Sequence, residues 1–244
     1  MHVYAIGDIH GHLKLVQQQH DLIADDMARN GAATVVHVGD LVDRGPDSRG
    51  VIDYLMGGIA AGNDWVVLKG NHDRMFARFM ADPHEPEPGL RPDLAWLHPR
   101  LGGGATLQSY GIANASDRPI APVFDEAIAA VPTEHLAFLR GLPTMYRMPG
   151  LVFVHAGIRP GVALDQQVET DLVWIREPFL SDIGNHGALI VHGHTALDTA
   201  TLYGNRLNID SSAAYGGPLT SVVIEGDAVF LLTPAGRQPL LPVT

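Results

Sequence analysis

The sequence predicts an α/β (α+β) fold in which two mixed β-sheets pack against each other and helices lie outside them. The first third of the chain contains three strand–loop–helix units in succession, which indicates parallel strands whose functional loops share one edge of a sheet. The second half consists mostly of short apolar runs joined by turns that contain glycine, and we interpret it as a β-rich meander. Together the two halves predict the two sheets.

Composition and charge indicate a single domain and exclude several classes of partner. The 244 residues, 46% of them hydrophobic, are enough to bury a full core, and we predict one domain over residues 1–244. The net charge of −11 argues against nucleic acid and anionic membranes as partners. We expect a cytoplasmic protein without a signal peptide, because the first strand begins at Val3 and no apolar run is long enough to span a membrane. Cysteine is absent, so any metal must be held by His, Asp, Glu or Asn.

The three units of the first third are delimited by β-branched apolar runs and by glycines. We predict strands over 2–7, 34–38 and 65–68, and each leads into a polar loop that contains a Gly-Asp or Gly-Asn pair. The helices that follow are predicted over 12–29 and 48–61 and from the end of the third loop to residue 80. Ser48 is the predicted N-cap of the second helix.

Residues 81–106 interrupt this pattern. They carry five prolines and then the triplet Gly102–Gly104, so we interpret them as an excursion that could form a lid, with helical turns at 94–97. The triplet lacks the Lys-Ser/Thr pair that follows a phosphate-binding loop. Beyond it we predict helices over 124–131 and 133–141, with Thr133 as the cap of the second. Later strands are predicted over 144–148, 151–155, 189–192, 199–203, 206–209, 219–225 and 228–232.

Polar side chains gather just beyond five of the predicted strands. They are Asp8, His10, Asp40, Asp43, Arg44, Asn71, His72, His155 and His194. Because the carboxyl ends of parallel strands meet at one edge of a sheet, these side chains can converge. Their carboxylate, amide and imidazole groups suit a pair of borderline divalent ions such as manganese, iron or zinc, whereas magnesium prefers more oxygen ligands. A two-metal site needs a bridging carboxylate, and Asp40, in the middle loop, is the natural bridge.

Five short motifs that include these residues resemble those of a known family. The motifs are GDIHG (7–11), GDLVDRG (39–45), GNHD (70–73), HAG (155–157) and GHT (193–195). In this order they resemble the metal-dependent phosphoprotein phosphatases of the calcineurin-like metallophosphoesterase superfamily, in particular the short bacterial and phage members. The resemblance spans nearly the whole chain and implies the four-layer sandwich of that superfamily, two sheets between helices.

The resemblance also implies a role for each site residue. One metal is expected on Asp8, His10 and Asp40, and a second on Asp40, Asn71, His155 and His194. Manganese is the favoured ion, with iron or zinc as alternatives. His72 is implied as the general acid and Asp43 as the carboxylate that holds it, while Arg44, Arg176 and Asn71 are implied as phosphate contacts.

Some positions depart from the family pattern or compete with it. Lys69 stands where family members often have arginine before Gly-Asn-His, and Ser212 replaces a glycine in the segment after Asp210. His192 competes with His194 because residues two apart share a strand face, but the motif favours His194. Arg159 either contacts phosphate or fixes its own loop. Trp174 and the other aromatic residues are predicted to be core residues instead of base-stacking platforms.

Three functions follow from this pattern. The first is hydrolysis of phosphoserine and phosphothreonine in proteins, with phosphotyrosine as a further substrate, by water that the metal pair activates. The second is hydrolysis of diadenosine tetraphosphate or a related dinucleoside polyphosphate. Asp43 favours the first, because the symmetrical diadenosine tetraphosphate hydrolases commonly have alanine there. The third is a binding or scaffold protein without activity, which the complete set of expected residues argues against.

Overall fold

The computed structural model describes residues 2–243, and within that range it contains eleven strands and seven α-helices. The strands are β1 (His2–Ile6), β2 (Val35–His37), β3 (Trp65–Val67), β4 (Met145–Met148), β5 (Leu151–Val154), β6 (Leu189–His192), β7 (Thr201–Leu202), β8 (Arg206–Asn208), β9 (Ser221–Glu225), β10 (Ala228–Thr233) and β11 (Gly236–Pro239). The helices are α1 (Leu13–Asn30), α2 (Ser48–Ala60), α3 (Asn71–Phe79), α4 (Gly103–Ser109), α5 (Ile120–Ala130), α6 (Thr133–Gly141) and α7 (Glu169–Trp174). Short 3-10 helices lie at Ala115–Asp117 and Ala213–Tyr215.

The strands form two mixed sheets, as predicted. The first has the order β11-β10-β9-β1-β2-β3, with β1, β2 and β3 parallel and β9 antiparallel to β1. The second has the order β4-β5-β6-β8-β7. Its strands β5, β6 and β8 are parallel neighbours, so the expected meander is wrong for this part. Parallel neighbours need a crossover, and α7 lies in the connection between β5 and β6.

Alternation along β1 explains why two sheets pack together and helices cover them. Val3 and Ala5 belong to the core between the sheets, together with Phe153 of β5. Tyr4 and Ile6 point to the opposite face and belong to the larger core under the helices. Because successive side chains of a strand point to opposite faces, a strand that is apolar at every position is buried on both. The predicted sandwich is therefore confirmed.

The outer face of the second sheet is covered by the β5–β6 connection. Leu172 of α7 and Phe179, which follows it, pack against Val152 and Val154 of β5 in a third cluster of buried residues. Helices or helical connections therefore lie outside both sheets. Among the helices within residues 2–243, none combines the length and the apolar character needed to cross a bilayer.

Several local predictions are wrong, and each has a simple physical reason. Asp47, one residue before Ser48, caps α2 by accepting a bond from the Gly50 N–H at 2.8 Å, and Pro132 takes the N-cap position expected of Thr133. Residues 94–97 form turns and no helix, whereas the glycine triplet begins α4. Helix α7 and strand β11 were not predicted, because both are short and weakly patterned.

Candidate active site

The carboxyl ends of β1, β2, β3, β5 and β6 meet at one end of the sandwich, around a cavity of about 300 Å³. Seven of the ten residues singled out in the sequence line it: His10, Asp40, Arg44, Asn71, His72, Arg176 and His194. The other three, Asp8, Asp43 and His155, are almost fully buried. Asn71 and His72 lie in the first turn of α3 instead of the expected loop. The fold thus brings together side chains that lie far apart along the chain.

The backbone of the site is strained in a way that sequence patterns did not indicate. Five residues other than glycine, namely His10, Asp40, Asp43, Arg44 and His194, have φ between 46° and 74°. This left-handed conformation costs roughly 1 kcal/mol or more for a residue with a side chain. Such residues persist where the surroundings dictate the conformation, and they cluster at functional sites.

The first group of candidate metal ligands surrounds Asp40. His10 Nδ1 lies 2.9 Å from the carbonyl oxygen of Val42, so Nδ1 carries the proton and Nε2 carries a lone pair. That lone pair lies 3.4 Å from Asp40 Oδ2. Asp8 accepts a bond from the backbone N–H of His194 on Oδ2, at 2.9 Å, but its buried Oδ1 has no partner. His10 Nε2, Asp40 Oδ2 and Asp8 Oδ1 are therefore acceptors that suit a bound cation.

A second group of acceptors converges on Asn71. His155 donates from Nδ1 to the carbonyl oxygen of Val38 at 2.9 Å, so Nε2 is the nitrogen that can bind a proton or a metal ion. This Nε2 lies 2.9 Å from Asn71 Oδ1 and 3.3 Å from Asp40 Oδ1. His194 Nδ1 lies 2.9 Å from the same Asn71 oxygen. A proton or a metal ion between these atoms would neutralise the crowded oxygen and nitrogen acceptors, so this set of side chains fits a bound metal ion.

The pKa values of these side chains are shifted by burial and by the crowded charges around Asp40. Burial, reinforced by the negative charge of Asp210, raises the pKa of the Asp8 carboxyl well above its usual value. Burial lowers the pKa of His10. Burial also acts against a charge on His155, but the carboxylate of Asp40 outweighs it and raises the pKa of His155 to about 9. Crowded carboxylates therefore attract positive charge to the centre of the site.

His72 and Asp43 form a tightly bonded pair next to these acceptors. His72 Nδ1 donates to Asp43 Oδ2 at 2.6 Å, and the backbone N–H of His72 donates to Asp40 Oδ1 at 2.9 Å. Because Nδ1 is held by Asp43, Nε2 is the nitrogen available for chemistry. Donor atoms of His10, Asp40 and His72 also lie within 4.8 Å of one another, so His72 is within reach of a metal. A carboxylate behind an imidazole suits an acid and a ligand alike.

The two predicted phosphate-binding arginines line the cavity, and the other two basic candidates do not. Arg44 Nη1 donates to His10 Nε2 at 2.7 Å, and Arg176 is exposed at the cavity wall. Arg159 forms two bonds of 2.6 Å with Asp171 on the surface, which favours the interpretation that it fixes its loop. Lys69 lies 3.6 Å from a glutamate of α7 and is not a lining residue.

The structure separates His192 from His194. His194 lines the cavity, whereas His192 is fully buried, packs edge-on against Phe179 at 5.1 Å and lies within 3.5 Å of Arg206. Trp174 packs against two of the hydrophobic clusters, so the prediction that it is a core residue is correct only in part. It is only partly buried, it lines the cavity, and its ring lies 5.7 Å from that of His194.

Several residues around the cavity were not singled out in the sequence. The excursion contributes Gly89, Leu90, Arg91, Leu94 and Leu101, and the 3-10 helix after β8 contributes Ala214 and Tyr215. Asp210, the aspartate of the segment noted above, also lines it. No motif marks the excursion residues, because their position depends on how residues 81–102 fold back over the site.

Comparison with known proteins identifies the family. The sequence profile of calcineurin-like phosphoesterases matches residues 1–222. The chain belongs to this family. Membership agrees with the two-sheet fold and with the clusters of His and Asp residues that could hold metal ions.

The relatives that this calcineurin-like phosphoesterase resembles are named for different substrates. It is 26% identical over 230 residues to serine/threonine-protein phosphatase 1 of Salmonella typhimurium, with 92% of each chain covered. It is 25% identical over 238 residues to the asymmetrical bis(5'-nucleosyl)-tetraphosphatase PrpE of Anoxybacillus flavithermus, with 89% of this chain and 88% of the relative covered. A crystal structure assigned provisionally as a diadenosine tetraphosphatase superposes with a TM-score of 0.66 at 22% identity, covering 98% and 94%. At this low sequence identity, the structural similarity shows a shared fold only.

Proposed function

We propose that the protein is a metal-dependent phosphomonoesterase that hydrolyses phosphoserine and phosphothreonine in proteins, with phosphotyrosine as a further substrate. The observation that carries the proposal is the 2.6 Å bond between His72 and Asp43 at the wall of the cavity, because an alkoxide leaving group needs a proton. The similarity to a serine/threonine-protein phosphatase over 92% of the chain supports the same substrate class.

The metal ligands of this proposal are those expected from the sequence. Asp8, His10 and Asp40 would hold one divalent ion, and Asp40, Asn71, His155 and His194 the second. Manganese is our preferred ion, with iron or zinc as alternatives, because the donors mix imidazole nitrogen with oxygen. When bound, such ions act as Lewis acids that activate water and neutralise charge on the phosphoryl group.

The protein's own side chains would bind the phosphate and supply the proton. Arg44 and Arg176 present guanidinium groups that can hold phosphoryl oxygens in pairs, and the amide of Asn71 lines the same wall. The water oxygen bonds to phosphorus, the ester P–O bond breaks, and the leaving oxygen takes the proton of His72 Nε2. Asp43 keeps the ring oriented through Nδ1, and a proton from water restores His72 for the next turnover.

A dinucleoside polyphosphate hydrolase is the second candidate, and one feature of the structure favours it. A cavity of about 710 Å³ adjoins the catalytic one and shares Arg44, Ala214 and Tyr215 with it. The Tyr215 ring is 67% exposed, and aromatic faces can stack on bases. The similarity to a bis(5'-nucleosyl)-tetraphosphatase points the same way. Against it stands Asp43, since a nucleotide leaves more readily than an alkoxide and depends less on an acid.

A paired assay decides between the two. With manganese present, we expect a higher kcat/KM on a phosphoserine peptide than on diadenosine tetraphosphate. The opposite preference would make the nucleotide hydrolase the better assignment. Absence of hydrolysis on both, with no transition metal bound to the purified protein, would return the chain to the class of binding proteins.

The role of His72 is tested by comparing turnover with metal content. For His72→Asn we expect kcat on the phosphoserine peptide to fall by roughly 10² to 10⁴, because that is what a general acid contributes, while bound metal stays at the wild-type level. Asp40→Asn is the control, and it should lose metal as well as activity. If His72→Asn also loses metal, His72 is a ligand; if it keeps the full rate, another group is the acid.

A further inference from the structure

The Asp43 carboxylate receives more bonds than the one from His72. It is fully buried, and the Trp96 indole N–H donates to Oδ2 at 2.8 Å. The Thr106 hydroxyl donates to Oδ1 at 2.6 Å. Trp96 and Thr106 both belong to the excursion, and Thr106 lies in α4, which begins near its end. Residues that interrupt the regular pattern of the chain thus reach the carboxylate that orients the proposed acid.

Trp96 is held firmly in this position. It is only 6% exposed, and its ring stacks on Phe76 at 5.1 Å and contacts Phe79 at 4.7 Å, both on α3, the helix that carries His72. A methyl group added at Gly103 would lie 2.6 Å from the Trp96 indole, so the backbone at Gly103 packs directly against the ring. Its N–H has a fixed direction, since packed aromatic rings have little rotamer freedom.

We propose that Trp96 is a positioning residue for proton transfer: its indole N–H fixes the Asp43 carboxylate, which fixes the ring of His72. The inference rests on the proposed phosphomonoesterase function and adds a role for the excursion. The excursion then serves the chemistry directly, besides covering the cavity. Trp96 does not line the cavity, and its indole N–H reaches His72 only through the Asp43 carboxylate.

This role has a consequence that depends on the leaving group. As the bond from phosphorus to the ester oxygen breaks, a serine alkoxide must take the proton of His72 Nε2, whereas p-nitrophenolate leaves without one. A misplaced His72 ring therefore slows the first reaction much more than the second. Loss of general structure, metal or phosphate binding would slow both to the same extent.

The test is Trp96→Phe, which keeps most of the aromatic packing and removes the N–H donor. We expect kcat on a phosphoserine peptide to fall about tenfold, and kcat on p-nitrophenyl phosphate to fall less than about twofold, with KM on both nearly unchanged. Tyr110→Phe is the matched control, because the buried Tyr110 hydroxyl is hydrogen-bonded to His135 at 2.8 Å, its ring also packs near Phe76, and it does not line the cavity. Its ratio of the two kcat values should stay at the wild-type level.

The outcomes separate this inference from the proposed function. If the wild-type protein hydrolyses neither phosphomonoester, the proposed function is wrong. If the wild type is active and Trp96→Phe slows both substrates equally, or if Tyr110→Phe shifts the ratio as much, the positioning role is wrong. In an Asp43→Asn background, Trp96→Phe should have no further effect on the ratio.

A spectroscopic measurement keeps the inference testable if Trp96→Phe does not fold. The chain has three tryptophans, so the wild-type protein should give three indole N–H resonances in a ¹H–¹⁵N spectrum. Asp43→Asn should move one of them, that of Trp96, more than those of Trp65 and Trp174. Equal shifts of all three, or no shift, would show that the indole of Trp96 does not bind the carboxylate in solution.

Discussion

At the residue scale, the local backbone conformation decides which of two neighbouring histidines, His192 or His194, lines the cavity. Regular strand geometry would put His192 and His194 on one face. The strand ends at His192, however, and His194 has φ of 64°, so the alternation stops before it. His192 stays within the sheet beside Phe179, where burial lowers its pKa to about 3, while His194 reaches the cavity. Strand alternation alone could not separate them, whereas the GHT motif favoured His194.

Substitution of each histidine in turn should separate structure from metal binding. We expect His194→Ala to lower bound metal at sub-stoichiometric concentrations by roughly tenfold or more, because it removes a proposed ligand of the second ion. His192→Gln should keep the metal and lose about 1 to 3 kcal/mol of unfolding free energy, because it alters a buried polar group. Metal content by mass spectrometry and urea unfolding measure the two effects. Metal loss in His192→Gln alone would reverse the assignment.

At the scale of elements, the sequence predicts the regular parts of the site and misses the irregular ones. Strands β1, β2 and β3 are short, mostly apolar runs that end one to three residues before a glycine, so the polar residues beyond them could be found by their position. The excursion has no period, and its contribution arises from contacts across long stretches of chain, such as Trp96 to Asp43. Such contacts depend on tertiary packing, which local patterns do not encode.

The excursion packs back against the site at Gly102, where the chain needs a glycine. Its φ is 87°, its carbonyl oxygen accepts a bond from the Arg44 N–H at 3.3 Å, and an added methyl group would lie 2.5 Å from that nitrogen. We expect Gly102→Ala to lose about 2 to 4 kcal/mol of unfolding free energy, from the left-handed conformation and from the clash. It should also raise KM, because it displaces Arg44, which lines the cavity and is a proposed phosphate contact.

The control for this substitution is Gly111→Ala. Gly111 has φ of 91° but no neighbouring atom within 4 Å of the added methyl group, so it isolates the conformational cost, roughly 1 kcal/mol. Its KM should equal that of the wild type. Equal stability losses in the two variants, measured by urea unfolding, would show that the contact between Gly102 and Arg44 is unimportant.

At the scale of the whole molecule, the site depends on how the two sheets sit against each other. Asp8, Asp40 and Asn71 follow strands of the first sheet, whereas His155 and His194 follow strands of the second. The bond of His155 Nδ1 to the carbonyl oxygen of Val38 joins the two sheets directly beneath the site. Any condition that loosens the packing between layers should therefore remove the site together with the fold.

Acid is such a condition, because a histidine pair is buried between α1 and the first sheet. His37 Nδ1 donates to the carbonyl oxygen of Val66, and His20 Nε2 lies 2.9 Å from His37 Nε2. Burial, with the neighbouring imidazole, lowers the pKa of His20 to about 3, and burial lowers that of His37 to about 4. Both rings therefore stay neutral in the folded protein at pH values where exposed histidines are charged.

The sign of the pH dependence follows from these shifts. An unfolded histidine binds a proton below a pH of about 6.5, whereas the folded pair binds none until about pH 4, so unfolding takes up protons in this window. We expect unfolding free energy to fall as pH drops from 6.5 towards 4, by up to about 1.4 kcal/mol per pH unit for each histidine. His37→Gln should flatten this slope, measured by urea unfolding at several pH values. His84→Gln, at an exposed position, should leave it unchanged, and an equal slope in all three proteins would show that the pair does not set acid stability.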